Sequence, residues 1–266
     1  MLAFVIPLKS AKASASWQAT SKLFERTVRS ICNQTVPDFR VFVICHEQPV
    51  IDYHHPNIEY LSVDSIPATI NSSKAAKRYD KNFKLIVGVN YALKSACSHI
   101  MFVDADDCVS RRLASFVKIS PEANGWLINQ GYEYCDGSSL IRFNQNLHNI
   151  CGSTNIIRSD LLQKFVQAID LQKMSQTLEM PFFLHHRLVS DAMNRKGLPL
   201  QLLPFPGTVY VKDNGENMTG SNRFLIQNVR SRLGKLSIVS LLLAYKAFTS
   251  QALMSHVCED FHLYPI

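Results

Sequence analysis

The sequence predicts an α/β protein: an open, mostly parallel sheet flanked by helices, with a smaller antiparallel region and a helical C-terminal tail. Three observations lead there. The runs AFVIPL, RVFVIC and HIMFVD are continuously apolar, as expected of strands covered on both faces. The segments SKLFERTVRSICNQ and KNFKLIVGVNYALKSA repeat their apolar residues at helical spacing. The order β, α, β, β, α, β then fills the first hundred residues, which is how a parallel sheet with crossover helices reads.

Taken in order, AFVIPL is the buried first strand. MLAFVIPLKS has no basic leader, and its apolar run stops at Pro7 and Lys9, so a signal peptide is not expected. The following helix places Phe24, Val28 and Ile31 on one stripe. TVPDF breaks it, and RVFVIC is the second strand of a right-handed βαβ unit. IEYLSV is a third strand, followed by the KNFKLIVGVNYALKSA helix and HIMFVD.

Beyond residue 107 the pattern changes. GWLINQGYEY and SLIRFN read as antiparallel strands, SDLLQKFVQAI as a helix opened by Ser159, and LVSDAMNRKG as a helix closed by Gly197. LPLQLLPFPGTVYV is strand-like but interrupted by Pro204 and Pro206, which suits an edge or a corner. The stretch from Phe224 to Phe248 is helical by pattern. The expected organisation is therefore a half at 1–107, a second half of the same domain at 108–222, and a tail at 223–266.

Composition narrows the function classes. The 266 residues are 47% apolar and carry a formal charge of +7, which fits a globular chain with an anionic partner. The basic residues are dispersed without aromatic interleaving, so nucleic acid is not expected. Seven cysteines, an odd number without CxxC spacing, favour free thiols in a reducing compartment. Lys235 and Lys246 bracket the most apolar stretch, so no bilayer-spanning helix is expected, and the protein reads as cytoplasmic.

The chemistry concentrates at IMFVDADDCV, where a strand ends in Asp104, Asp106 and Asp107. Joint ionisation of neighbouring carboxylates is unfavourable unless a cation sits among them. Asp104 and Asp106 share a face of the extended chain. Hard oxygen ligands in a loop suit Mg²⁺ or Mn²⁺, which complete their shell with water and substrate phosphates. The competing reading is a solvated loop capping a helix.

PLKS ending the first strand, the ICNQTVPDFRVFVI helix-turn-strand and FVDADD ending a later strand, in this order, resemble the family 2 glycosyltransferases of the GT-A fold over roughly the first 115 residues. That resemblance implies a metal-dependent transferase moving a sugar, with inversion, from a nucleotide diphosphate sugar to a saccharide or other hydroxyl acceptor. It implies Asp104, Asp106 and Asp107 as metal ligands, with Asp104 and Asp106 also on the donor beside Pro7 and Lys9. Asp213 and Asn217, in YVKDNGENMTGSN, fall where the family's C-terminal loop approaches phosphates or metal.

The chain departs from the family pattern in two places. After the second strand, where relatives carry an acidic pair that recognises the base, it has Cys45, His46 and Glu47; His46 can still hydrogen-bond a base edge. Lys84 falls where relatives place a basic residue facing the donor, and a solvated helix lysine is the alternative. About a dozen residues before Gly197, where relatives carry an acidic pair as general base, stand His185 and His186. Either imidazole, or the nearby Asp191, could take the acceptor proton.

NLHNICGSTNIIRSDLL resembles the loop, strand and helix that shape the acceptor pocket, with His148, Gly152 and Ser153 as lining residues. In NVRSRLGKLSIVSLLLAYKAF, Arg230, Arg232, Lys235 and Lys246 flank an apolar stripe; this helix packs on the domain or lies on an acidic membrane surface. Two other functions stay open: a degenerate relative that binds nucleotide sugar or glycan without catalysis, and a nucleotidyltransferase. The second is weakened because PLKSAKASASW lacks glycine.

Overall fold

The computed structural model describes residues 1–63, 74–169, 181–216 and 250–266. The C-terminal pattern at 224–248, with Arg230, Arg232, Lys235 and Lys246, lies outside the described residues, as does Asn217.

The first strand, β1 (Leu2–Pro7), sends Leu2, Phe4 and Ile6 to one face and Ala3 and Val5 to the other, and all five are fully buried. A strand apolar at every position needs cover on both sides. Helix α1 (Trp17–Cys32) supplies it on one face through Phe24, Val28 and Ile31, the stripe expected from spacing. Helix α2 (Lys74–Leu93) covers the opposite face with Leu85 and Val89. Ser16 opens α1, its hydroxyl accepting the Ala19 N–H at 3.2 Å, which satisfies one of the unpaired donors of the first turn.

Strands β2 (Phe39–Cys45), β3 (Ile58–Ser62) and β4 (His99–Phe102) are parallel to β1 in the order β3-β2-β1-β4. The chain thus moves from β1 to one side through β2 and β3, then returns to pair β4 on the other side. Between β1 and β4 the strand order reverses. That makes the carboxyl ends of these two strands the crevice where an open α/β sheet takes a ligand.

The later chain completes this sheet and builds a second one. Strands β6 (Gly125–Leu127), β9 (Asn155–Arg158) and β10 (Gln201–Leu202) extend the large sheet beyond β4, with β9 antiparallel to both of its neighbours. The second sheet runs β12-β8-β7-β11-β5, with β5 at Cys108–Val109, β7 at Gly131–Cys135, β8 at Leu140–Asn144, β11 at Thr208–Lys212 and β12 at Ser250–Ala252. Its pairings are antiparallel except β7 with β11.

GWLINQGYEY is therefore two strands in two sheets, joined by a corner at Ile128–Gln130, rather than the single strand its apolar content suggests. LPLQLLPFPGTVYV divides in the same way, and both prolines sit in the turn between β10 and β11.

Four more helices complete the described residues: α3 (Leu113–Lys118), α4 (Ser159–Gln167), α5 (His186–Arg195) and α6 (Ser255–Phe261). Ser159 is the first helical residue of α4, and the capping position belongs to Arg158. Gly197 ends α5 as expected, with a positive φ of 72°. Its N–H donates to Asn194 O and that of Leu198 to Met193 O, the paired closure that a left-handed glycine permits. Val257 and Phe261 of α6 pack on Tyr134, Val209 and Val211 of the second sheet. All seven cysteines are free thiols, and among the described residues no helix is long and apolar enough to cross a membrane.

Candidate active site at the carboxyl ends of β1 and β4

Strand β4 is extended by one further bond, Val103 N–H to Val5 O at 3.0 Å. The chain then turns, and the Asp107 N–H closes back on Asp104 O at 3.1 Å. This turn separates the three carboxylates. Asp104 and Asp106 stay half-buried at the crevice, whereas Asp107 is fully buried.

Asp107 serves the interior. One of its oxygens accepts from Ser153 Oγ at 2.7 Å and from Cys151 Sγ at 3.2 Å; the other accepts the Val211 N–H at 3.2 Å. Burial first, then the charges of Asp106 and Asp104, hold its carboxyl well above the usual carboxylate range. Asp107, expected as a metal ligand, makes three hydrogen bonds that brace the turn against β11 and the 151–153 loop.

Asp104 and Asp106 are the half-buried carboxylates of the turn. Ser153 Oγ also accepts the Asp104 N–H at 2.9 Å, so one hydroxyl fixes the two ends of the turn. Gly152 packs on the Asp104 side chain, and a Cβ added there would stand 2.6 Å from Asp104 Oδ2. Gly152 and Ser153, expected to line an acceptor pocket, contact the acidic turn. Asp106 accepts Asn214 Nδ2 at 2.8 Å. Burial and then the Asp104 charge raise its carboxyl, against the opposing pull of Asn214, Lys81 and Lys9.

Two lysines of α2 take different places. Lys84 is fully buried, donating to Leu8 O at 2.8 Å and pairing with Asp80 at 2.9 Å. It ties α2 to the chain just beyond β1, so the lysine expected to face a donor is engaged in the interior. Lys81, one turn earlier, forms an ion pair with Asp104. Burial alone would lower the Lys81 ammonium, but the charges of Asp104, Asp106 and Asp107 raise it.

The loop after β11 crosses the same crevice. Asp213, expected near the metal, has a left-handed φ of 57° and accepts from Cys135 Sγ at 3.5 Å. That backbone turn directs Asn214 to Asp106 instead. Glu216 follows: its carboxylate accepts the Ser16 N–H at 2.8 Å and the Ala15 N–H at 3.2 Å, and it pairs with Lys9. Glu47 Oε1 accepts the Ala11 N–H at 2.7 Å. The loop joining β1 to α1 is thus pinned from two sides, beside Pro7, the last residue of β1. His46 follows the end of β2.

On the opposite rim, α5 begins at His186. Its imidazole is lowered to about 4, by burial first and next by the Lys81 charge, with Asp104 pulling the other way. The His185 ring stacks on it with centroids 5.7 Å apart. His186 Nε2, His185 Nδ1 and His148 Nδ1 are buried without a hydrogen-bond partner among the described residues. His148, in the Leu147–Asn149 turn, is lowered by burial and raised by Asp191 of α5. Of the three expected base positions, His186 thus feels the charges of Lys81 and Asp104, while Asp191 acts on His148.

Lys81, Asn214 and Glu216 were missed in the sequence. Lys81 carries a weak signal, standing three residues before Lys84, but only packing shows which lysine is sealed in. Among the described residues no group of three or more His, Cys, Asp or Glu side chains is arranged to hold a metal. Two carboxylates still suit Mg²⁺ or Mn²⁺, which bind through one or two protein carboxylates and take further oxygens from substrate phosphates.

No family model matches the chain, and no curated protein matches it. Solved structures do. S. aureus TarS 1–349 superposes over 79% of this chain and 60% of its own, at 13% identity and a TM-score of 0.42. The same protein in complex with UDP-GlcNAc gives 83% and 61%, at 13% identity and 0.41. The 2-C-methyl-D-erythritol 4-phosphate cytidylyltransferase (IspD) of Francisella tularensis gives 85% and 98%, at 10% identity and 0.41. The chain spans about 60% of the TarS 1–349 length.

Proposed function

We propose that the protein is a glycosyltransferase that moves a sugar from a nucleotide diphosphate donor to a hydroxyl acceptor with inversion. The observation that carries this reading is the pair Asp104 and Asp106, held at the β1–β4 switch point by Ser153, Gly152 and Asn214. The resemblance of PLKS, the NQT-containing turn and FVDADD to the family 2 glycosyltransferases supplies the reaction class. Asp104 and Asp106 would hold Mg²⁺ or Mn²⁺, which would neutralise charge developing on the leaving diphosphate.

In this reading the acceptor oxygen attacks the anomeric carbon as the bond from that carbon to the diphosphate oxygen breaks. The acceptor proton passes to the unpartnered nitrogen of His186, which is neutral near pH 7 and open to a proton. The loop that carries Asn214 and Glu216 closes the donor side. A second reading, donor binding without turnover, rests on the imidazole standing where a carboxylate is expected.

The deciding experiment is calorimetric titration of Mn²⁺ with a panel of nucleoside diphosphates into wild type and into Asp104→Asn and Asp106→Asn proteins. Uptake should depend on both aspartates, and transfer should fall with His186→Gln while uptake persists. Undiminished uptake in both Asn variants refutes the site; uptake with no transfer under any donor and acceptor pairing leaves the binding-only reading.

A further inference from the structure

The Asp104–Lys81 pair holds the information. The Asp104 Oδ1 atom is taken by the Lys81 ammonium, and Oδ2 lies against Gly152. Asp106 receives a neutral amide, Asn214. Lys9, a further cation near the turn among the described residues, is neutralised by Glu216. Among the described residues one ammonium therefore faces two carboxylates, an excess of negative charge that attracts a cation.

Lys81 is also placed to leave. Its side chain is 33% exposed and that of Asp104 29%, so water and ions reach the pair, and exposed pairs of this kind are weak. Lys84, three residues on, is sealed and cannot exchange.

We infer that Lys81 is a resident counter-ion for Asp104, displaced when a divalent cation enters, and that the released ammonium then binds the diphosphate group of the incoming ligand. This rests on the reading of Asp104 and Asp106 as the metal-binding pair. Divalent ion and diphosphate thus depend on one side chain, which opposes the first when alone and favours the second.

The test titrates MnCl₂ alone, and separately inorganic pyrophosphate at saturating MnCl₂, into wild type, Lys81→Met, Lys81→Arg and Asp104→Asn proteins. Removing the charge should tighten Mn²⁺ binding about tenfold and weaken pyrophosphate binding about tenfold, the scale of one ion-pair interaction at a partly exposed site. Lys81→Arg should follow wild type. Unchanged or weaker Mn²⁺ binding in Lys81→Met, unchanged pyrophosphate binding there, or an Arg variant that behaves like Met each overturns the inference. Mn²⁺ binding that ignores Asp104→Asn overturns the metal reading itself, a different failure from an intact Asp104 dependence with an inert Lys81.

Discussion

Lys81 and Lys84 stand three residues apart on α2, yet Lys84 is locked to Leu8 and Asp80 inside the protein while Lys81 reaches Asp104 at the crevice. The same residue type on one helix thus divides into a buried structural tie and a partly exposed ion pair. Burial decides which is which, and it sets different consequences for removing each.

Lys84→Met should destabilise the protein by about 3–5 kcal/mol, because it strands the buried Asp80 carboxylate without its counter-charge. Asp80 Oδ1 already lacks a partner among the described residues. Lys81→Met should shift stability by less than about 1 kcal/mol. Urea unfolding of both variants checks this, and equal losses would contradict the division of roles.

Ser153 joins the two ends of the acidic turn through one hydroxyl. Ser153→Ala leaves the buried Asp107 short of a donor and the Asp104 N–H short of an acceptor, so a loss of about 1–3 kcal/mol is expected. Ser153→Thr keeps the hydroxyl and should recover most of it. Equilibrium denaturation provides the comparison.

Gly152→Ala puts a methyl 2.6 Å from Asp104 Oδ2, too close unless the carboxylate moves. Because only the end of a side chain has to shift, the fold should persist with a Tm near wild type while Mn²⁺ uptake and transfer drop. Calorimetry beside a thermal melt separates the two effects; an unaltered uptake would show that Asp104 need not hold its present position.

The His186 imidazole is lowered from 6.5 to about 4 in the folded protein. Between those values the unfolded chain takes up a proton that the native state refuses. The contribution of this group to stability is therefore fully present above its unfolded value and is lost as pH falls toward its folded one. Wild type should lose more stability than His186→Gln across that window, measured by denaturation at stepped pH. Parallel slopes would remove His186 as their source. The acid limb of kcat/KM in wild type should likewise fall below the range of an ordinary histidine.

What the amino-acid order determined by itself was local and periodic. The apolar runs of β1, β2 and β4, the Phe24–Val28–Ile31 stripe, the Gly197 closure and the acidic end of β4 were all legible, because period, capping chemistry and charge crowding act between near neighbours. Tertiary structure alone decided which of three adjacent aspartates turns inward, which of two lysines meets Asp104, and that Asn214 rather than Asp213 approaches Asp106. Those choices depend on contacts across long stretches of chain, from Asp107 to Val211 and from Lys81 to Asp104. Burial and ionisation respond to what packs around a group, and no spacing along the chain encodes that environment.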